Sequence, residues 1–258
     1  MRVLIIAGSD SGGGAGIQAD LKTVTMLGGY AATAVTAVTV QNTLGVAAIH
    51  PVPPAVVADQ IRAVLADIGA DAIKIGMLGE AETVAAVADA LADVQVPIVL
   101  DPVMVAKGGA SLLSADAAQA LAEQLLPLAF LVTPNVPELE ALTETAVADE
   151  ADLLLAAQEL LGAGPTHVLA KGGHLDGEQV VDWLVSRQGH RRFESARIAT
   201  RHTHGTGCTL ASAVATGLAR GLAVEEAVAK ARTYVAGAIA QAPGLGQGHG
   251  PLAHNWTL

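Results

Sequence analysis

Short apolar segments alternate with longer amphipathic ones along most of this sequence, and that alternation constrains its fold more than any other feature. The apolar segments predict buried strands at residues 3–7, 32–40, 72–75, 97–100, 130–133 and 167–170. Between them apolar residues recur with helical spacing, which predicts helices at residues 17–27, 53–67, 80–92, 114–126, 149–161, 208–220 and 224–242. Strands that alternate with helices of about ten to fifteen residues indicate βαβ units around a mostly parallel sheet.

The predicted fold class is therefore α/β. Residues 179–185 and 192–197 predict an antiparallel hairpin at the edge of the sheet. The chain shows neither a linker-like shift in composition nor an internal repeat, so residues 1–258 are expected to form a single domain. Since hydrophobic residues make up 52% of the chain and aromatic ones only 2%, the core is expected to be aliphatic and rich in alanine.

Composition also excludes several classes of function. The formal net charge of −11 disfavours a nucleic-acid surface, which needs a basic patch, but allows a small phosphorylated ligand held by backbone amides or a metal ion. No apolar run approaches the roughly 18–20 residues of a membrane span, and the run at 3–7 is too short for the core of a signal peptide. A single cysteine excludes an internal disulfide and fits a reducing compartment. We therefore expect a cytoplasmic protein that binds neither nucleic acid nor membrane.

Polar residues repeatedly follow the predicted strands, namely Asp10, Gln41, Asp101, Asn135 and Lys171. The carboxyl ends of parallel strands share one edge of the sheet, and the ligand crevice of an open α/β sheet lies outside that edge. The pattern thus predicts where the binding site is without reference to any motif.

A glycine-rich turn opens the helix predicted near residue 208, and it contains Gly205, Thr206 and Gly207 followed by Cys208. Such a turn directs several free backbone N–H groups at one point, at the positive end of the helix dipole, and so forms an anion hole. The same field is expected to stabilise the thiolate of Cys208. The alternative is that the two glycines make only a tight turn and that Cys208 fills a small gap in the core.

Neither of the two common phosphate-binding schemes is present. The chain contains no Gly-Lys pair, which excludes a Walker-type P-loop. The glycine cluster at 12–16 follows a strand but has no third glycine in phase with a dinucleotide fingerprint, and residues 30–40 offer no acidic residue for a ribose. What remains is phosphoryl transfer by groups spread over the strand ends, which needs a metal ion, an anion hole and a group to deprotonate the acceptor.

Three of the strand-end positions suit a metal ion or a nucleotide. Asn135 and Glu138 are spaced to place an amide and a carboxylate beside a hydrated magnesium ion, although the same spacing suits a capping box. Asp101, which precedes a proline, is placed either to orient metal-bound water or to cap a turn. Lys171, followed by two glycines, offers a cation to a nucleotide or is simply solvated.

A set of motifs in a fixed order resembles the hydroxymethylpyrimidine/phosphomethylpyrimidine kinase family of the thiamine pathway, in the ribokinase-like superfamily. The segments that carry the resemblance are 8–20, 41–43, 74–78, 101–104, 133–135 with Glu138, 171–174, 204–209 and 248–251. The resemblance runs essentially from end to end. It implies a three-layer α/β/α fold, a homodimer, and ATP as co-substrate with Mg²⁺. It further implies phosphorylation of the hydroxymethyl group of the pyrimidine and then of the resulting monophosphate.

The resemblance also implies roles for individual residues on the substrate side. Gln41 matches the residue that hydrogen-bonds the aminopyrimidine edge, and the Gly8 backbone and Met77 match neighbouring walls of the pocket. Asp20 matches a polar group that faces the substrate.

On the phosphate side, Asn135 and Glu138 resemble the superfamily's magnesium-organising pair, and Asp101 resembles a residue near the phosphates. Lys171 resembles a nucleotide contact. Residues 205–208 form the anion hole. Most superfamily members carry aspartate as the catalytic base where this chain has Cys208. A conditionally charged thiolate is expected to repel an already ionised second acceptor less than a fixed carboxylate would.

The nucleotide side shows one departure, since His202 stands beside Arg201 where the family usually has asparagine. Lys107 is a candidate to hold the monophosphate, with a solvated loop lysine as the alternative, and residues 103–111 are the candidate for a loop that closes over the site. There are two alternatives to this function, namely a pyridoxal-type vitamin kinase and a nucleotide-binding regulatory protein that has lost catalysis. Gln41 and Met77 favour the pyrimidine over pyridoxal, and Cys208 with the carboxylates favours an active enzyme.

Overall fold

The strands form one nine-stranded sheet in a computed structural model that describes residues 1–105, 109 and 112–258. Its order is β3-β2-β1-β4-β5-β6-β7-β8-β9. The strands are β1 (Arg2–Asp10), β2 (Tyr30–Asn42), β3 (Gly45–Pro51), β4 (Ala72–Ile75), β5 (Ile98–Leu100), β6 (Leu131–Val132), β7 (His167–Lys171), β8 (Gln179–Ser186) and β9 (Gly189–Ala196). Pairing is parallel from β2 to β7 and antiparallel at both edges, which confirms the predicted sheet and its edge hairpin.

Helices cover both faces of the sheet, so the predicted three-layer α/β/α architecture is confirmed. The helices are α1 (Gly16–Met26), α2 (Pro54–Asp67), α3 (Ala81–Leu91), α4 (Ala115–Ala120), α5 (Val136–Thr143), α6 (Glu150–Leu161), α7 (Thr206–Ala219) and α8 (Val224–Ala240). One face packs against α2 to α6, and the other against α1, α7 and α8. Within the described ranges none of these helices is long and apolar enough to cross a membrane.

The alternation of side chains along β1 shows how the two cores form. Leu4 and Ile6 belong to the core beneath α2 to α6, whereas Val3, Ile5 and Ala7 belong to the core beneath α1, α7 and α8. All five are almost completely buried. A parallel strand with helices on both faces must be apolar on both faces, which explains why this segment is a continuous apolar run.

Strand β3 was not predicted from the sequence. It pairs with the end of β2 to form a hairpin that extends from the edge of the sheet, and its residues are half-buried or exposed. A strand that buries neither face leaves no hydrophobic pattern, so periodicity had nothing to detect.

The single helix predicted over residues 114–126 is also wrong in part. Ser114 caps it as expected, since its Oγ accepts a hydrogen bond from the N–H of Ala117 at 3.2 Å. However, the α-helical hydrogen-bond pattern ends at Ala120. The chain stays helical as a π-turn over Leu121–Leu125 and then as a 3₁₀ turn over Leu126–Leu128, which contains Pro127. Proline has no N–H and clashes with the preceding turn, so the α-helical pattern cannot continue through it.

Helices α7 and α8 approach closely at Gly217. A β-carbon added to Gly217 would lie 2.9 Å from the β-carbon of Ala227. We expect Gly217→Val to lower the free energy of unfolding by about 1–3 kcal/mol through overpacking, although valine has a higher helix propensity than glycine. Urea denaturation checks this. The exposed change Ala240→Val in α8 is the control, and equal stability of the two variants would contradict the packing argument.

Candidate active site

A cavity of about 710 Å³ lies at the carboxyl ends of the parallel strands, at the edge of the sheet where the strand-end residues were expected to gather. Strand order reverses between β1 and β4, which places this crevice at the topological switch point of the sheet. The predicted site residues that line it are Gly8, Gln41, Met77, Asp101, Asn135, Glu138, Lys171, Gly205, Thr206, Gly207 and Cys208.

The carboxylate of Asp10, at the end of β1, organises the first glycine-rich loop. It accepts hydrogen bonds from the backbone N–H groups of Gly12 at 2.7 Å, Gly14 at 3.0 Å and Ala15 at 2.8 Å. Burial alone would raise the pKa of Asp10. Hydrogen bonds from His204 and from these N–H groups outweigh burial and hold the pKa below its usual value.

His204 joins this first loop to the loop before α7. Its Nε2 donates to Asp10 Oδ2 at 2.8 Å, and Gly205 lies against the backbone of Gly14. A β-carbon on Gly205 would lie 1.8 Å from the carbonyl oxygen of Gly14, and Gly205 has a φ of 82°, so this position requires glycine. The two glycine-rich loops therefore pack directly against each other and are joined by the hydrogen bond between His204 and Asp10.

Gln41 lies beside the same nitrogen of the imidazole. Its Nε2 is 3.4 Å from His204 Nε2, and its Oε1 is 3.1 Å from Thr39 Oγ1. Because the single Nε2 proton of His204 goes to Asp10, the imidazole offers the Gln41 amide nitrogen no hydrogen bond there. The amide N–H groups of Gln41 are therefore available to an acceptor in the cavity.

The anion hole forms at the first turn of α7. This helix begins at Thr206, two residues before the predicted start, so Gly207 and Cys208 lie in its first turn, where backbone N–H groups have no intrahelical partner. A β-carbon on Gly207 would lie 3.3 Å from Asp101 Oδ2 and 3.4 Å from Lys171 Nζ. The N–H groups of this turn therefore lie beside a charged pair.

That pair belongs to a cluster of three charged side chains at the ends of β5 and β7 and the start of α5. Lys171 Nζ donates to Asp101 Oδ1 at 3.0 Å and lies 4.0 Å from Glu138 Oε2. Burial raises the pKa of Glu138 to about 7, with Asp101 adding to the rise and Lys171 opposing it. For Asp101, burial also acts upward, but Lys171 and Lys74 together lower its pKa.

Of the two alternatives that the sequence left open for Asn135 and Glu138, the structure shows the capping box. They form a capping box, in which Asn135 Oδ1 accepts from the N–H of Glu138 at 3.0 Å and Glu138 Oε2 accepts from the N–H of Asn135 at 2.8 Å. They also line the cavity. The cap fixes the Glu138 carboxylate in place beside Lys171, so the structural arrangement and the site use the same contacts.

The donor set fits a loosely held magnesium ion. Among the described residues no group of three or more histidine, cysteine or acidic side chains is arranged to hold a metal ion. Asp101 and Glu138 nevertheless present two buried carboxylates within one cluster. Mg²⁺ is usually bound through one or two carboxylates, water and substrate phosphates rather than by a cage of protein ligands, so these residues suit it.

The expectation that the helix field stabilises the thiolate of Cys208 is wrong for the protein without ligands. Burial raises the pKa of the thiol to about 11. Lys74 lowers it, but Asp20 and Asp101 raise it further. Desolvation of the thiolate therefore outweighs the charge of Lys74 and the hydrogen bond from the Gly16 backbone, and Cys208 is a neutral thiol at pH 7.

Asp20 does not face the cavity, so the structure contradicts its predicted substrate contact. Its side chain is 0% exposed, Lys74 Nζ donates to its Oδ2 at 2.9 Å, and Ser212 Oγ donates to its Oδ1 at 2.6 Å. Lys74 lies between Asp20 and the cavity, and it was not among the predicted site residues. A charged residue in the middle of the four-residue buried strand β4 was the signal that could have found it.

On the nucleotide side, Arg201 and His202 pack against the C-terminal segment. Arg201 donates to the carbonyl of Gln247 at 3.4 Å, and a β-carbon on Gly250 would lie 2.2 Å from His202 Nδ1. Lys107 lies outside the described residues. So does most of the 103–111 loop, where only 103–105 and 109 are described.

Comparison with known proteins agrees with this geometry. The phosphomethylpyrimidine kinase family model matches residues 10–253. The thiamine biosynthesis bifunctional protein ThiED of Geobacter sulfurreducens is 54% identical over 253 residues, with 98% of this chain and 52% of that protein covered, so this chain spans about half of its length. The hydroxymethylpyrimidine/phosphomethylpyrimidine kinase of Haemophilus influenzae is 49% identical over 258 residues, with 98% and 96% covered.

A similar solved structure is the ADP complex of Bacillus subtilis pyridoxal kinase. It has a TM-score of 0.92 at 37% identity, and the match covers 99% of this chain and 98% of that one. The sheet and its helical layers define a ribokinase-like fold. Within that class, the chain belongs to the phosphomethylpyrimidine kinase family.

The hydrogen bonds to Asp10 generate a prediction with a defined pH dependence. Because the folded-state pKa of Asp10 is lowered, its contribution to stability is present above the unfolded pKa of about 3.9 and is lost as pH falls through the folded value. We expect Asp10→Asn to lower the free energy of unfolding by about 1–3 kcal/mol at pH 7. The difference from wild type is expected to shrink below about pH 4.

Denaturation of both proteins between pH 7 and pH 2.5 measures this difference. Asp176→Asn, at an exposed position, is the control and is expected to match wild type throughout. A difference between Asp10→Asn and wild type that stays constant down to pH 2.5 would show that the Asp10 carboxylate charge is not responsible.

Proposed function

We propose that this chain uses ATP to phosphorylate 4-amino-5-hydroxymethyl-2-methylpyrimidine to its monophosphate, and then phosphorylates the monophosphate to the diphosphate, in thiamine biosynthesis. The observation that carries the proposal is the anion hole of residues 205–208, built against the Lys171–Asp101 pair within the cavity. Membership of the phosphomethylpyrimidine kinase family supports the choice of substrate. We further propose that residues 1–258 act as a single kinase domain.

The nucleotide and its metal ion are assigned to the charged cluster. Phosphoryl transfer depends mainly on positioning and on neutralising the charge of the transferring group. Lys171 would contact the nucleotide phosphates, and the N–H groups of the first turn of α7 would receive the transferring group. Asp101, Asn135 and Glu138 would hold Mg²⁺ largely through water. When bound, the ion would supply positive charge to the phosphate oxygens.

The pyrimidine is assigned to the opposite side of the cavity. Gln41 would donate from its amide nitrogen to the aminopyrimidine edge, since His204 leaves those N–H groups available. Gly8 and Met77 would form the walls beside the ring. A β-carbon on Gly8 would lie 2.7 Å from Met77 Cε, so Gly8 and the end of the Met77 side chain lie close together on this wall.

Cys208 is assigned to the acceptor. The first acceptor is an alcohol, whose proton must leave. Cys208 would first lose its own thiol proton to solvent and would then, as the thiolate, accept the proton of the alcohol as the general base. The second acceptor is a phosphate oxygen that is already ionised and needs no base. A thiol that is neutral in the empty site adds no repulsion to that acceptor, whereas a carboxylate would add it.

Pyridoxal kinase is a second candidate, because the Bacillus subtilis pyridoxal kinase has so similar a structure. Gln41 and the Gly8–Met77 wall favour the pyrimidine. An assay in which both acceptors compete for limiting enzyme distinguishes them, and a preference for pyridoxal would overturn the assignment.

We also propose a homodimer in the cytoplasm. Support for a second copy comes from apolar side chains on the hairpin of β2 and β3, where Val38 is 51% exposed, Val40 61% and Leu44 66%. Exposed apolar side chains grouped on one hairpin are typical of a contact surface. Sedimentation of the purified chain measures the association state.

The overall reaction is tested by separating monophosphate from diphosphate after incubation with ATP, Mg²⁺ and the hydroxymethylpyrimidine. We expect both products from wild type and a loss of at least about a hundredfold in kcat/KM for Lys171→Met, since the phosphates lose their buried cation. Lys230→Met, on the exposed face of α8, is the control with unchanged rates. Absence of both products from wild type would leave an inactive nucleotide-binding regulator as the better interpretation.

The two half-reactions differ in their expected dependence on Cys208. In Cys208→Ala we expect the rate of the first phosphorylation to fall about 10²- to 10⁴-fold, the usual contribution of a general base, and the second to fall much less. Cys208→Ser, which keeps a small polar group, serves for comparison. Single-turnover rates with each acceptor measure the effect, and equal losses in both steps would sink the assignment of Cys208 as the base.

A further inference from the structure

Among the described residues, Lys74 is the largest charged side chain that is fully buried. It has no role in the proposed function as stated above. Its ammonium lies on the face of β4 that packs against α1 and α7, within an otherwise aliphatic core. Asp20 on α1 accepts its hydrogen bond at 2.9 Å, and Ser212 on α7 donates to the same carboxylate at 2.6 Å. The three elements therefore hold the ammonium in one position.

Such a pair is not explained by stability. Burying an ammonium and a carboxylate costs several kcal/mol per ion, and replacing a buried ion pair with apolar residues of similar volume is often neutral or stabilising. Apolar side chains surround this ion pair, so apolar residues in place of Lys74 and Asp20 would be compatible with the core. A fixed buried charge at the edge of a cavity therefore calls for a functional explanation.

The position of Lys74 connects it to the acceptor side. A β-carbon on Gly76 would lie 2.7 Å from Lys74 Nζ and 3.2 Å from the β-carbon of Ala7. The ammonium thus lies beneath the segments that lead into Gly8 and Met77, the proposed walls for the pyrimidine. Lys74 also lowers the pKa of Cys208 and that of Asp101, so its charge acts on both groups.

Four charged groups from four elements act on Cys208. They are Lys74 from β4, Asp20 from α1, Asp101 at the end of β5 and Lys171 from β7. Lys171 lies between two carboxylates, Asp101 and Glu138, which offset its charge. Lys74 has one hydrogen-bonded carboxylate, and its charge has a larger effect on the Cys208 thiol than that of either acidic residue.

We propose that Lys74 is a specificity-determining residue, whose buried positive charge adapts the acceptor side of the site to the anionic monophosphate. The inference rests on the proposed function. The two acceptors differ in charge, because the hydroxymethylpyrimidine is a neutral alcohol and its monophosphate carries about −1.5 to −2 at pH 7, like other phosphate monoesters. Asp20 and Asp101 would repel the second acceptor, and Lys74 offsets that repulsion with a charge that is fully buried and therefore weakly screened by solvent.

Two substitutions in the same ion pair test the proposal, because they must shift acceptor preference in opposite directions. The measured quantity is the ratio of kcat/KM for the monophosphate to kcat/KM for the alcohol. Lys74→Met removes the cation, and we expect the ratio to fall about tenfold or more. Asp20→Asn removes the opposing anion and keeps the cation, and we expect the ratio to rise.

A merely structural role would give a different result, since both changes break the same buried pair and both would lower the two activities together. Lys74→Met leaves Asp20 buried without its cation, which risks unfolding. The double change Lys74→Met with Asp20→Leu removes both charges and keeps an apolar fill. We expect it to unfold at a denaturant concentration near that of wild type and still to show a reduced ratio.

The outcomes separate the two proposals. A wild-type enzyme that makes both products, with an unchanged ratio in Lys74→Met and in the double variant, overturns only the assignment of Lys74. A ratio that falls in Asp20→Asn overturns it as well. If wild type phosphorylates neither acceptor, the proposed function fails and the assignment of Lys74 fails with it.

Discussion

The active-site geometry depends on the contact between Asp10 and His204, two residues 194 positions apart in the chain. Asp10 fixes the loop after β1 through three backbone N–H groups, and His204 ties the loop before α7 to the same carboxylate. The glycines at the crossing, Gly14 and Gly205, allow the two backbones to touch. The hydrogen bond between His204 and Asp10 holds the two loops together, and Gly14 and Gly205 have no side chains to keep them apart. The predicted anion hole therefore faces the cavity.

The buried charges at the site form two groups, each with one lysine and its acidic partners. Lys171 lies between Asp101 and Glu138, and Lys74 is held by Asp20. Each lysine opposes the desolvation of its carboxylates, although burial still raises the pKa of Asp20 and of Glu138, and each lysine also interacts with Cys208. This arrangement keeps Cys208 a neutral thiol while placing two cations near it. In the proposed reaction the acceptor is first an alcohol and then a phosphate. A neutral thiol suits both acceptors better than a carboxylate with a fixed negative charge would.

Family membership and geometry answer different questions about this chain. The match to the phosphomethylpyrimidine kinase family identifies the class of reaction and the type of acceptor. Pyridoxal kinase from Bacillus subtilis shares the fold almost completely, so the fold alone does not select the vitamin. The distinction is assigned to local contacts, namely the Gln41 amide whose N–H groups His204 leaves available and the close approach of Gly8 to Met77.

By itself the sequence determined what depends on neighbouring residues. Apolar runs and helical spacing identified the parallel strands and most helices, Ser114 identified its cap, and the spacing of Asn135 and Glu138 offered the capping box as one of two alternatives. These features follow from contacts within a few residues, which spacing records. Only the tertiary structure decided that Asp20 binds Lys74 instead of facing the substrate, that His204 binds Asp10, and that burial keeps Cys208 protonated. Desolvation and Coulomb interaction depend on which distant groups the fold brings together, and no local pattern carries that information.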